Sequence, residues 1–142
     1  MHATPEETEQ AFYAAFTNGD LNAMMKLWAR SDTTTCIHPS GPRLQGLAAI
    51  EESWRYIFAG GSDRHFELRD LRVVASPDMH VHLLEEHISI PGTNFKAPPV
   101  IATNVYQRLG DGWFLALHHA SVAPSTGTAA AGPAPGDTSH LH

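Results

Sequence analysis

Four long extended segments, at about residues 64–76, 79–90, 96–109 and 113–122, follow one another with breaks only at Pro77-Asp78, Pro91-Gly92 and Gly110-Asp111-Gly112. Connections this short cannot hold the dozen or more residues of a parallel crossover, so consecutive strands are expected to run as an antiparallel meander. Such a sheet has a face to bury, and the N-terminal half of the chain supplies the cover.

Thr4-Pro5-Glu6-Glu7 reads as a helix start, with a threonine cap, proline in the first turn and carboxylates at the positive end of the dipole. Phe12 and Phe16 then share a face, and Asn18-Gly19 stops the helix. Asp20 caps a second helix in which Leu21, Met24, Met25 and Trp28 fall at amphipathic spacing. From Thr33 the β-branched run through Cys36, Ile37 and His38 reads as a strand closed by Pro39-Ser40-Gly41-Pro42, which puts Cys36 and His38 on one face. After an extended piece at Arg43-Leu44-Gln45, a third helix follows Gly46, with Leu47, Ile50, Trp54 and Ile57 as its apolar stripe. Three helices on a curved, mainly antiparallel sheet make an α+β cone, open at one end.

The chain has 142 residues, the size of a single domain with one core. Beyond Val122 the composition collapses to Ala, Pro, Gly, Ser and Thr, so residues 1–122 are read as the folded domain and 123–142 as a disordered tail. No apolar run is long enough to span a bilayer, and Glu6, Glu7 and Glu9 occupy the place of a signal's apolar region. A cytoplasmic protein is expected. The formal charge of −6, with nine scattered Lys and Arg, argues against nucleic acid and anionic membranes as partners. No Gly-rich phosphate loop, GxSxG elbow or HExxH motif occurs.

The unusual feature of the composition is ten histidines, enough to reverse the sign of the formal charge if all were protonated. In the last strand, simple alternation puts His119 in line with Trp113, Leu115 and Leu117, pointing inward, and leaves His118 on the other face. In the second long strand it groups Glu85 and His87 with Met79, Val81 and Leu83, against His80, His82, Leu84 and Glu86; Leu84, Ile88 and Ile90 spoil the alternation, and a bulge or two-sided burial would exchange Glu85 and Glu86. The reading that follows puts His38, His119 and Glu85 around one cavity, lined by Tyr13, Trp28, Cys36, Trp54, Asn104 and Tyr106, where a carboxylate orients an imidazole and the aromatics hold an apolar ligand. The bland reading makes each of these a hydrogen-bonded or packed core residue, with Cys36 a neutral packing group. His80-x-His82 has the geometry of a metal chelate, yet nothing nearby in sequence offers a third ligand at a diagnostic spacing, so no metal and no cofactor are expected.

The runs Thr17-Asn18-Gly19-Asp20-Leu21 and Cys36-Ile37-His38-Pro39, the Leu44-Gln45-Gly46 helix entry followed by Ser53-Trp54, and the ending Gly112-Trp113-Phe114-Leu115-Ala116-Leu117-His118-His119-Ala120-Ser121 resemble the SnoaL-like branch of the NTF2-like superfamily. The resemblance covers about residues 6–124 and implies the same α+β cone, commonly a homodimer packed through its sheet. The superfamily hosts isomerases, cyclases, dehydratases, hydrolases and non-catalytic association domains, so fold does not decide activity. In its ketosteroid isomerases an Asp-Pro pair supplies the general base, and His38-Pro39 holds that place here. A histidine moves protons near neutral pH with little tuning. The isomerase oxyanion donors do not carry over, because their positions hold Phe12 and Ala102.

Two functions therefore stand side by side. One is a homodimer that binds a small, largely apolar organic molecule, with isomerase, cyclase or hydratase chemistry in which His38 is the base and His119 and Glu85 orient it. The other is an association domain with a vestigial pocket. A cavity open to His38 and His119 favours the first, and one filled by Phe12, Trp28 and Trp54 favours the second.

Overall fold

The computed structural model describes residues 1–61 and 63–124. Its elements run α1 (Pro5–Asn18), α2 (Leu21–Met25), β1 (Thr35–Ile37), β2 (Leu44–Gln45), α3 (Leu47–Ala59), β3 (His65–Ala75), β4 (Met79–Ser89), β5 (Val100–Leu109) and β6 (Gly112–Val122). The strands form a single six-stranded sheet in the order β2-β1-β6-β5-β4-β3. All neighbours are antiparallel except β1 and β6, whose parallel pairing sets Cys36 beside His118. Residues 125–142, most of the expected tail, lie outside the described residues, while Ala123 donates its N–H to the Pro99 carbonyl at 2.8 Å.

The helix ends form as their sequences dictate. Thr4 Oγ1 accepts from the Glu7 N–H at 3.1 Å, Asp20 Oδ1 accepts from the Ala23 N–H at 3.0 Å, and Gly19 turns the chain between them at φ 62°. The second helix is shorter than its amphipathic spacing suggests. It stops at Met25, and the following residues run alongside β6, where Leu115 N–H donates to Leu27 O and Ala29 N–H donates to Leu115 O, each at 2.8 Å. Trp28 therefore enters the core from an extended segment, because the edge of β6 offers it hydrogen bonds that another helical turn would forgo. Similarly, β5 begins at Val100 and not near Lys96, since Pro98 and Pro99 have no N–H for the ladder.

Two bulges shape the sheet. In β3 the register shifts between Arg69 and Arg72, with Asp70 in a left-handed conformation at φ 55°. In β6 the pairing jumps from Tyr106↔Leu115 to Val105↔Leu117, leaving Ala116 without a partner on β5. One extra residue reverses the alternation from that point onward. Trp113 and Leu115 face the helices before the bulge, and His118 and Ala120 face them after it. The core on the concave side joins Phe12, Trp28, Ile50, Trp54, Tyr106 and Leu115, each fully buried.

Candidate functional site

Seven polar side chains converge inside the cone, from α1 (Glu9, Tyr13), β4 (His82, Glu86), β5 (Asn104, Tyr106) and β6 (His118). Glu9 is their hub. Its Oε2 accepts from Tyr106 Oη at 2.7 Å and from Asn104 Nδ2 at 3.3 Å, and its Oε1 lies 3.1 Å from His82 Nδ1. Asn104 Nδ2 also donates to Tyr13 Oη at 3.1 Å, and Tyr13 Oη donates to Glu86 Oε2 at 2.6 Å. With both Asn104 contacts on its NH₂ side made to oxygens, the amide orientation is fixed and Oδ1 faces His118. His118 Nδ1, 2.6 Å from that oxygen, is therefore the protonated ring nitrogen.

The charge states follow from burial. Desolvation pushes the His118 imidazolium down to about 3, helped by His38 and His119, so the ring is neutral at physiological pH. Desolvation raises Glu86 to about 7; the Tyr13 hydrogen bond pulls the other way, and the Glu9 charge adds to the rise. Tyr13 and Tyr106 are both held above the usual phenol range, first by burial. Glu86 is thus a carboxyl poised to exchange a proton near neutrality, in hydrogen-bond contact with a phenol that stays protonated.

His38 stands at the margin of this interior. Ser53 Oγ gives its only proton to the Ile50 carbonyl at 2.7 Å, so at 2.9 Å it accepts from His38 Nε2, which carries the ring proton. The lone pair is left on Nδ1. Burial lowers the His38 pKa, favouring the neutral ring. Its ring packs nearly perpendicular to Trp54 at 4.8 Å between centroids, and Trp54 lies 6.4 Å from the His118 ring. Cys36 Sγ is 3.6 Å from His38 Nε2, but burial pushes the thiol up to about 12, which removes it as a nucleophile at neutral pH.

Of the residues expected to line one cavity, Tyr13, Trp28, Cys36, Trp54, Asn104 and Tyr106 do lie buried on the concave side, with His38 at its margin against Trp54. His119 and Glu85 do not. His119 is exposed on the outer face opposite Thr103, because the Ala116 bulge hands the inward position to His118. Glu85 is on the outer face too, half-buried and 2.9 Å from His87 Nε2, while Glu86 points inward with His82 and Leu84. His82 and His118, expected on the opposite or solvent face, are both buried among the helices' contacts. The interior itself is filled. Phe12, Trp28 and Trp54 are 0% exposed, and the Phe12 ring meets Tyr13, Trp28, Trp54 and His118 at centroid distances of 4.9 to 6.3 Å. A cavity of about 280 Å³ opens elsewhere, between the N-terminus and α2 beside Ala11, Asp20 and Lys26, and touches none of the expected site residues.

The sequence profile described as a SnoaL-like domain matches residues 6–125. A solved structure from Thiobacillus denitrificans, provisionally described as a calcium/calmodulin-dependent protein kinase type II association domain, is 37% identical, with a TM-score of 0.83 over 87% of this chain and 98% of its own. A second, from Streptomyces avermitilis, is provisionally described as a dehydratase of the NTF2-like family; it is 31% identical, with a TM-score of 0.75 over 84% of this chain and 94% of its own. Among curated proteins, the Arabidopsis thaliana F-box protein SKIP8 is 28% identical over 111 residues, which are 78% of this chain. The match spans 46% of that relative's length.

Proposed function

We propose that this chain, which belongs to the SnoaL-like domain family of the NTF2-like superfamily, is a self-associating module that meets a second copy of itself through the outer face of its sheet. The observation that carries the reading is the apolar character of that face. Val74, Leu83 and Ile101 stand 65%, 38% and 41% exposed on it. Register places them around half-buried Val81, Val105 and Leu117 across four adjacent strands. A contiguous apolar surface on a sheet is the usual mark of an interface. The filled interior, where Phe12, Trp28 and Trp54 occupy the space a ligand would need, supports association over chemistry. The relative from Thiobacillus denitrificans, provisionally an association domain, supports it as well. Sedimentation velocity on the full chain tests the idea. A dimer or larger species is expected at micromolar concentration, reduced to monomer by Leu83→Asp or Ile101→Asp. A monomeric parent protein, or variants that still associate, would overturn it.

A second reading, a small-molecule binder with acid–base chemistry, is favoured by three buried groups. The Nε1 atoms of Trp28 and Trp54 lie buried without a hydrogen-bond partner among the described residues, and Glu86 is poised near neutrality beside Tyr13. In this reading the aromatic side chains of the interior rearrange to admit a small, largely apolar organic molecule, and the lone pair on His38 Nδ1 and the Glu86 carboxyl move protons in an isomerisation, cyclisation or hydration step. The Streptomyces avermitilis relative, provisionally a dehydratase, is consistent with that class. A thermal-shift screen of apolar compounds above and below pH 6.5 tests it: a stabilising compound whose effect is lost in His38→Ala supports the reading, and a screen with no stabilising compound counts against it.

A further inference from the structure

We propose that Glu6, His80 and His82 form a binding site for one divalent transition metal ion of the zinc class, at the rim of the cone between the first turn of α1 and the start of β4. Glu6 Oε2 lies 3.8 Å from His80 Nδ1 and 3.6 Å from His82 Nε2, and the three atoms all fall within 4.8 Å of one another. Those separations are too long for hydrogen bonds. They are close to the about 3.3 Å that separates ligand atoms around a tetrahedral ion held at roughly 2.0–2.1 Å. Closing the difference takes small rotations of the exposed Glu6 side chain and of the partly exposed His80 ring.

Two features distinguish this cluster from a chance surface grouping. His80 Nδ1 and His82 Nε2 are both buried and have no hydrogen-bond partner among the described residues, although His82 is wholly enclosed. A buried imidazole nitrogen with nothing to bind is a rare and costly arrangement. The second feature is on the far side of the His82 ring. Its Nδ1 is bonded to Glu9 at 3.1 Å, and Glu9 is itself held by Tyr106 and Asn104. A carboxylate accepting from one ring nitrogen fixes the proton there and turns the lone pair of the other toward the cluster, the outer-shell support that metal-binding histidines use. The ring of His80 is steadied in turn by Trp113, with centroids 5.1 Å apart.

Two imidazoles and one carboxylate suit Zn(II), with Co(II) a faithful spectroscopic substitute, over calcium or magnesium, which prefer all-oxygen shells. Three protein ligands leave at least one coordination position free. Solvent reaches the cluster from the Glu6 side, whose side chain is 59% exposed. The third ligand was invisible to sequence spacing: Glu6 lies on α1 and reaches the histidines only through packing of α1 on the sheet.

The test uses the full chain without an affinity tag, stripped with a chelator and titrated with Zn(II) by calorimetry and with Co(II) by visible absorption. One ion per chain is expected, with a rise in Tm on Zn(II) addition. Glu6→Gln and His80→Gln, each first shown by circular dichroism to keep the fold, should weaken binding roughly tenfold or more. A His140→Ala/His142→Ala double variant should bind as the parent does, which separates this site from the histidines of the tail. No saturable Zn(II) binding would overturn the proposal. So would binding that survives both Glu6→Gln and His80→Gln, or binding that disappears in the tail variant.

Discussion

The Tyr13 hydroxyl sits 2.6 Å from Glu86 Oε2, joining helix α1 to strand β4 inside the cone through two groups that burial drives toward their protonated forms. A carboxyl raised to about 7 in the folded chain binds a proton that the unfolded chain has already released above about pH 4.5.

Glu86 therefore contributes stability at low pH that is lost as pH rises from about 4.5 through about 7. Its full effect is on the order of 3 kcal/mol. Glu86→Gln, which keeps a neutral partner for Tyr13, should be more stable than the parent at pH 8 and close to it at pH 4.5. Urea titrations at several pH values would show this; an unchanged difference across that range would remove the assignment.

His118 acts in the opposite direction. Its folded pKa of about 3 lies below the unfolded value near 6.5, so its stabilising contribution is full above pH 6.5 and falls away as pH drops toward about 3. His118→Asn places an amide donor near Nδ1 for Asn104 without a titrating ring. We expect its Tm to fall less steeply than the parent's between pH 6 and 4, in differential scanning calorimetry.

Asn104 connects His118 to Glu9 and Tyr13, and no other side chain among them reaches all three. Asn104→Leu removes the amide and leaves the His118 N–H without its acceptor, which should cost about 1–3 kcal/mol, more than an exposed Asn→Leu change. A loss under about 0.5 kcal/mol in denaturant titration would show that the network is not a stabilising unit.

Cys36 is 0% exposed with its thiol pushed up to about 12. Its modification by a disulfide reagent at pH 8 should be limited by unfolding, slow in native buffer and rapid in denaturant. Fast native labelling would place the thiol in a far more open site.

The sequence makes the helix caps and the short strand connections legible because those signals are local: Thr4, Asp20 and Gly19 act within four residues of themselves. What alternation misplaces is the pair His118 and His119, and the reason is one unpaired residue, Ala116, with no signature of its own. Alternation leaves Glu85 and Glu86 open and the structure puts Glu86 inward without a bulge in β4: the strand carries apolar residues on both faces, since Val81 and Leu83 look outward across the sheet while Leu84 and Ile88 look in. The metal-type cluster escapes any reading of spacing, because Glu6 and His80 come together only through tertiary packing.

The Ala116 bulge also governs how this chain is to be set beside its relatives. Where another SnoaL-like protein lacks the extra residue, its inward histidine would stand one step along the chain from His118, and a position-by-position alignment would pair a buried, uncharged imidazole with an exposed one. Loss or gain of a single codon at this point would exchange the two surroundings in one step, moving a titrating side chain between the interior and the outer face of the sheet with neither histidine substituted. Length, more than residue identity, sets which imidazole the interior keeps.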